Sequence, residues 1–356
     1  MRLPFAQSLT QALTRALITT TLLLVTAASH AKDETTPLTV DASFSATAAA
    51  DKGFTIADTK ALKGIKRVAV PVFAVEFIMA DNVNAQTSGF GSAGRASSSL
   101  YYKLLGVGES DFQAVTDKLY SQFLAELKAS GVEVVEAAQV VAAPSYRKLV
   151  ATGSPAPIKS DTTMTMSPPG LGIYGFAKMG GGNSSSGRSI FGALSNVGAG
   201  FAAVGAIGDT IALAGELDAS LMEVRMRVNF VQLSDDNKGF FGRLAGSASA
   251  SGKAFPSVDN VMVGVQSGPL RSTLTLKHSL SLDTSAFAEV REKATTAGDV
   301  AGAVAVGLLR LAIGGKDSHS SKELEVVADP ERYKDVVGAG LASATSMVVA
   351  RMKSER

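Results

Sequence analysis

Ser145-Tyr146-Arg147-Lys148 places a hydroxyl and an amine one helical turn apart. At that spacing a lysine takes the proton of a serine nucleophile in penicillin-recognising enzymes. The same chemistry needs Lys-Thr-Gly and Ser-Asp-Asn elements, and neither tripeptide occurs; there is no Gly-x-Ser-x-Gly elbow either. Gly89-Phe90-Gly91-Ser92-Ala93-Gly94 matches the dinucleotide fingerprint, whose glycines must join a strand directly to a helix N-terminus. Here polar sequence separates it from the preceding apolar strand, which favours a loop. Gly182 to Gly187-Arg188-Ser189 has the spacing of a phosphate loop, but Arg188 stands where lysine reaches the phosphates.

The remaining chemistry is sparse. The chain has no cysteine, which excludes a thiol nucleophile, zinc–thiolate sites and lipid attachment at an N-terminal Cys. His278 sits on the Leu-rich face of an alternating segment and reads as a core or interface imidazole. His319, in Lys316-Asp317-Ser318-His319, reads as solvated. These residues assign no catalytic, cofactor-binding or metal-ligating role, and the chain is expected to be non-enzymatic.

The elements that would position any site are easier to read. Ile65 to Val70 begins a strand, and Val72 to Met79 is apolar apart from Glu76, as a buried strand should be. Pro71 cannot donate to a ladder and marks a bulge or a break. Residues 81–109 and 153–188 are Gly-, Ser- and Asn-rich and read as long loops. Between them Ser110-Asp111-Phe112-Gln113 forms a capping box. Phe112, Val115, Leu119, Phe123 and Leu127 then recur at helical spacing. Gly131 ends that helix, residues 111–129, and Val132 to Val135 reads as a strand. Strand, helix, strand predicts a βαβ unit with parallel pairing.

Met222, Val224, Met226, Val228 and Phe230 alternate with Glu223, Arg225, Arg227 and Asn229, predicting one apolar and one wet face. Leu274 to Leu282 alternates in the same way. Phe240 to Phe255 is expected to return antiparallel to the first of these. Residues 298–314 and 333–352 read as small-residue helices. Ser189 to Gly208 carries no charge but is mostly Gly, Ala and Ser. The alternating strands fit a soluble sheet backed by helices, and less well a transmembrane barrel. The expected fold is α+β: a βαβ-type N-terminal core, a mixed sheet and long antiparallel strands, flanked by small-residue helices.

Residues 1–31 say where such a protein works. Arg2 and Arg15 precede an apolar run ending in Ala27-Ala28-Ser29-His30-Ala31, the pattern of a secretory signal peptide cleaved after Ala31. Residues 32–52 read as a flexible leader and 53–356 as a periplasmic α/β domain. Losing Arg2 and Arg15 brings the 34 basic side chains down to equal the 32 acidic ones. A neutral mature chain gives no electrostatic warrant for nucleic acid.

The run Ile65-Lys66-Arg67-Val68-Ala69-Val70, helix 111–129 and the strand at Val132 resemble the start of the curli-type secretion-channel (CsgG-like) superfamily. Gly208-Asp209-Thr210-Ile211 through Glu223 to Leu233, with the polar turn that follows, is similar to that family's paired central strands. The resemblance spans about half of the mature chain and lies in element order. It implies a periplasmic α/β module, associated with the outer membrane and self-associating. Assembly or secretion of surface material through protein–protein contacts is the function it implies. The alternative is a soluble module that binds a ligand or envelope polymer between the βαβ core and the 153–188 loops.

Overall fold

The computed structural model describes residues 37–88, 95–174, 201–235, 247–293, 303–304, 308–314 and 319–356. Its early strands are β1 (Leu38–Thr39), β2 (Phe54–Ala57), β3 (Arg67–Ile78), β4 (Ala80–Ser88), β5 (Arg95–Leu105), β6 (Glu133–Val134), β7 (Ile158–Lys159) and β8 (Thr163–Met166). The later ones are β9 (Ser220–Asp235), β10 (Ser247–Ser267), β11 (Leu270–Leu276), β12 (Leu280–Ser281), β13 (Phe287–Glu292), β14 (Ala303–Val304), β15 (Leu308–Gly314) and β16 (His319–Ala328). The helices are α1 (Ala46–Gly53), α2 (Glu109–Ala129), α3 (Ala137–Ala142), α4 (Pro144–Ala151), α5 (Phe201–Leu217) and α6 (Pro330–Glu355). The fold is α+β, with helices, a large mixed sheet and a second sheet stacked as layers.

The large sheet is built on β9. β3 runs parallel to one side of it and β10 antiparallel to the other, and the order continues β1-β12-β10-β9-β3-β8-β7. β6 pairs parallel with the start of β3, so the expected βαβ unit is present, with α2 as its helix. The face bearing Phe73, Phe77, Val224, Met226 and Val228 is buried. Phe77 stacks on Phe112 of α2 with ring centroids 4.3 Å apart, and Phe112 meets Tyr333 of α6 at 6.1 Å. Burial of this aromatic stripe is worth about 2 kcal/mol per side chain and fixes the two helices on the sheet.

Met79 carries the chain from β3 straight into the second sheet, ordered β14-β13-β16-β5-β4. Val83, Ala85, Leu100, Tyr102, Leu104, Leu324 and Val326 line its inner face. At Gly252 of β10 the sheets touch: a Cβ there would lie 2.6 Å from the Tyr102 hydroxyl.

Several sequence expectations are corrected. Part of the leader is ordered: the described fold begins at Pro37, and Leu38 N–H and Val40 N–H bond to Ser279 and Ser281 carbonyls. α1 is capped by Ser45, and Gly53 lets it lie against Met347, which a Cβ would meet at 2.3 Å. Small residues that read as linker are there for close packing. The 81–109 loop holds the hairpin β4–β5, whose polar side chains alternate with buried ones. Residues 153–174 of the second loop contain the hairpin β7–β8, which β3 pairs antiparallel; 175–188 lie outside the described residues. Within 298–314, β14 and β15 replace a helix, because β15 pairs with β10 and tertiary pairing overrides weak propensity.

Two further corrections concern single elements. The segment expected as one strand from Leu274 to Leu282 breaks at Lys277–Ser279. There Lys277 N–H donates to the Gly53 carbonyl and the Ser279 carbonyl accepts from Leu38 N–H. The α2 cap moves upstream: Gly108 N–H donates to Asp111 Oδ2 at 3.0 Å, while Gln113 Nε2 donates to the Ser167 carbonyl.

Other expectations hold. Pro71 falls in a register shift of β3 against β9, a bulge rather than a break. Gly131 ends α2 at φ +84°. β10 returns antiparallel to β9 and runs on to Ser267. The C-terminal helix is longer than expected: Asp329 caps it and Pro330 occupies its first position.

Candidate functional site

The buried length of β3 contains one carboxyl, Glu76, which is fully buried. A buried charge must be compensated at its own level. The parallel register sets Glu76 beside Arg227 of β9, and Ala74 beside Arg225. On the other side of β9, Asn260 of β10 is the ladder partner of Arg227, and Asp259 is left over as the extra residue of a bulge. The bulge aims Asp259 back at β9. Arg227 Nε donates to Asp259 Oδ1 at 2.8 Å, and Asn229 Nδ2 to Oδ2 at 3.4 Å.

Arg225 lies one step along the strand and is only 1% exposed. Its Nη2 donates to the Tyr174 carbonyl at 2.9 Å and lies 3.6 Å from Glu223 Oε2. From the second sheet, Asp81 of β4 faces Arg227 and Asp259. Four carboxyls, Glu76, Asp81, Glu223 and Asp259, thus share a seam with two guanidiniums, and the seam ties β3, β9, β10 and β4 together.

Electrostatics follow from this geometry. Burial works against the Arg227 charge, but Asp259, then Glu76 and Asp81, outweigh it and hold its pKa above the ordinary guanidinium value. Burial pushes the Asp81 carboxyl up from its usual range; the Asn82 amide and Arg227 oppose that rise, and Asp259 adds to it. Burial, then the Glu223 charge, raises the Tyr174 hydroxyl well above 10. That hydroxyl has no hydrogen-bond partner among the described residues. The charges of the seam lie against one another in opposite-sign pairs, which suits positioning and register better than proton transfer to a substrate.

Arg225 and Arg227 were expected on a wet face. Arg225 is instead buried, because the second sheet and the segment ending at Tyr174 cover that side of β9. Glu76 was visible in the sequence as a lone acid in an apolar run, and such an acid predicts a cation beside it. Asp81, Asp259 and Tyr174 carried no such signal, since a bulge and a sheet crossing bring them in.

The other singled-out residues are dispersed. Ser145 is buried at the start of α4, and its hydroxyl donates to Glu216 Oε1 at 2.6 Å while its N–H meets Oε2 at 3.1 Å. The Ser145 contacts, then the charges of Lys148 and Arg147, hold the Glu216 carboxyl below its usual range. The Lys148 side chain is exposed, so the two residues do not form a nucleophile–base pair. His278 lies in the bend between β11 and β12, with its Nδ1 buried and without a hydrogen-bond partner among the described residues. His319, at the start of β16, is exposed, and its Nδ1 lies 2.6 Å from Ser97 Oγ. Gly89–Gly94 and Gly182–Ser189 lie outside the described residues; the first is flanked by the antiparallel strands β4 and β5, not by a strand and a helix.

Among the described residues, no three His, Cys, Asp or Glu side chains gather as a metal site, and no helix is long and apolar enough to cross a membrane. Comparison with protein-family models, curated proteins and solved structures gives no match.

Proposed function

We propose that this chain is a non-enzymatic, exported envelope protein that acts in the assembly or secretion of surface material through protein–protein contacts. In this reading it is cleaved after Ala31, works in the periplasm in association with the outer membrane, and self-associates. The observation that carries the reading is strand length. β9 has 16 residues and β10 has 21. At about 3.3 Å per residue they span roughly 50 and 70 Å, whereas strands of about five or six residues are the usual size for closing a core. The two strands stay paired from Leu221 opposite Gln266 to Asp235 opposite Ala250. So long an antiparallel pair supports a hairpin that pairs or inserts beyond its own domain. The seam at Glu76, Arg225, Arg227 and Asp259 crosses this hairpin and ties it to β3.

The test is the light-scattering mass of the mature protein extracted in mild detergent from its own envelope. A large closed assembly that needs detergent supports the proposal. A monomer released without detergent refutes it.

A further inference from the structure

The large sheet has a basic edge. Among the described residues β2 pairs with β11 and with no other strand, so it is an outer strand of that sheet. The chain stays close after β2 ends. Asp58 turns it at φ +56°, and Ala61 N–H donates to Ser272 Oγ at 3.1 Å. At the other end of β2, Lys277 N–H donates to the Gly53 carbonyl. Residues 51–67 and 270–278 therefore form one continuous surface. At about 3.3 Å per residue, the stretch from Leu270 to Lys277 is roughly 23 Å long.

Six exposed basic side chains stand on it: Lys52, Lys60, Lys63, Lys66, Arg271 and Lys277. All but Lys60 lack an ion pair among the described residues. The acids of the same two segments are Asp51 and Asp58. Asp51 is taken up by Arg351 of α6 at 2.9 Å, and Asp58 lies 3.9 Å from Lys60. Arg67 and Glu133 cancel one another at 3.2 Å, and Asp218, at the entry to β9, offsets one more cation. A surplus of cations remains, in a chain whose formal net charge is only +2.

Lysines on an outer strand also discourage edge-to-edge pairing, but that role does not account for Leu270. Leu270 follows Pro269 in the turn between β10 and β11 and is 43% exposed, one of the few large apolar side chains so placed. The face it continues, Ser272, Leu274 and Leu276, is buried, and Leu270 runs out past the cover. A leucine at a turn tip beside unpaired cations suits an interfacial lipid contact. The cations meet headgroup phosphates, and the leucine enters the acyl boundary. A soluble polyanion would use the cations and leave the leucine in water.

We infer that this edge of the molecule lies on an anionic phospholipid surface, with Leu270 inserted and Lys60, Lys63, Lys66 and Arg271 on headgroup phosphates. The inference rests on the membrane association proposed above and names the surface that makes it. Leu270 lies at the end of the β9–β10 pair where Leu221 faces Gln266, so the far end, at Asp235, stays free to pair with protein. One basic side chain near an anionic surface is worth about fivefold in affinity. A single copy therefore binds weakly, and a self-associated assembly binds far more tightly through its several copies.

The test uses the mature chain with vesicles of phosphatidylcholine alone and of phosphatidylcholine mixed with phosphatidylglycerol. The chain has no tryptophan, so Leu270→Trp places a single emission reporter at the turn. All the altered positions are exposed, and unchanged circular dichroism confirms that each variant folds. The unaltered chain is expected to sediment with the mixed vesicles. Leu270→Trp emission is expected to shift to the blue on them and not on phosphatidylcholine. Lys63→Glu with Lys66→Glu is expected to weaken binding at least tenfold, and Leu270→Ser about fivefold. Binding that neither variant weakens, with no blue shift, overturns this surface and leaves the proposed membrane association standing. Binding lost in the lysine variant but kept in Leu270→Ser, again with no blue shift, overturns the lipid in favour of a soluble polyanion. No vesicle binding at all overturns the surface, and the detergent extraction described above then decides the membrane association by itself.

Discussion

Two sets of charged residues in this protein use the same chemistry and come to opposite ends. In the seam, Arg225 and Arg227 alternate along β9 with apolar residues and end beneath a second sheet. On the far side of that second sheet, Arg291 of β13 bonds Glu325 of β16 at 2.8 Å and Glu289 at 3.0 Å, and Lys293 bonds Glu323 at 2.9 Å. Arg291 is 39% exposed and Arg225 is 1% exposed. The alternating pattern is the same in both; what differs is whether another layer lies over it. Charge on a strand therefore reports which face is away from the helices, and says nothing about whether that face meets water.

The largest expected difference follows from that burial. Arg225→Ala removes one partner of a buried pair and strands Glu223 and the Tyr174 carbonyl, at a cost of about 3–5 kcal/mol. Denaturant unfolding with an unchanged m-value measures it, and a loss below about 1 kcal/mol would mean that water reaches the seam. Asp259→Ala ranks second. It leaves Arg227 Nε and Asn229 without acceptors and costs about 1–3 kcal/mol. Both seam effects should change little between low and moderate salt. Arg291→Ala, across the second sheet, should cost no more than about 1 kcal/mol and should shrink as salt is raised, because exposed pairs are screened. A salt-insensitive Arg291 effect would erase the contrast between the two regions.

The helical layer and the main strands were legible because their signals are local. The stripe from Phe112 to Leu127 and the alternation from Met222 to Phe230 each repeat a single period. The second sheet was not legible. β4 and β5 are rich in Asn, Ser and Gln, and β14 has only two residues, so their pairing is decided by strands distant in sequence. The same cause hid most of the seam. Glu76 was recognisable as an anomaly within its own strand. Asp259 enters through a bulge, and Asp81 through the crossing at Met79, and neither is written in the order of neighbouring residues. Arg225 lies opposite the apolar face as expected but is not wet, because the covering layer comes from the segment ending at Tyr174 and from a second sheet more than a hundred positions away.

The smallest effect has the sharpest sign. Burial raises the Asp81 carboxyl above its ordinary value, so the folded protein holds that proton more tightly than the unfolded chain does. Stability is then greatest in acid. It falls as pH rises through the ordinary carboxylate range to the raised folded value, and is level above that. Asparagine keeps an oxygen for the Asn82 N–H, which Asp81 Oδ1 accepts at 2.8 Å, and discards the charge. Asp81→Asn should therefore raise the melting temperature at pH 7 by about 2 °C, and the gain should vanish at a pH low enough to protonate the wild-type carboxyl. Glu325→Gln makes the same chemical change on the exposed ladder, where it leaves Arg291 a neutral acceptor in place of a charged one and should slightly lower the melting temperature at pH 7. Thermal melts of the two variants at neutral and acid pH would decide the matter. If Asp81→Asn destabilised at pH 7, Asp81 would be serving Arg227 as an ion-pair partner, and the seam would differ from the ladder in exposure alone.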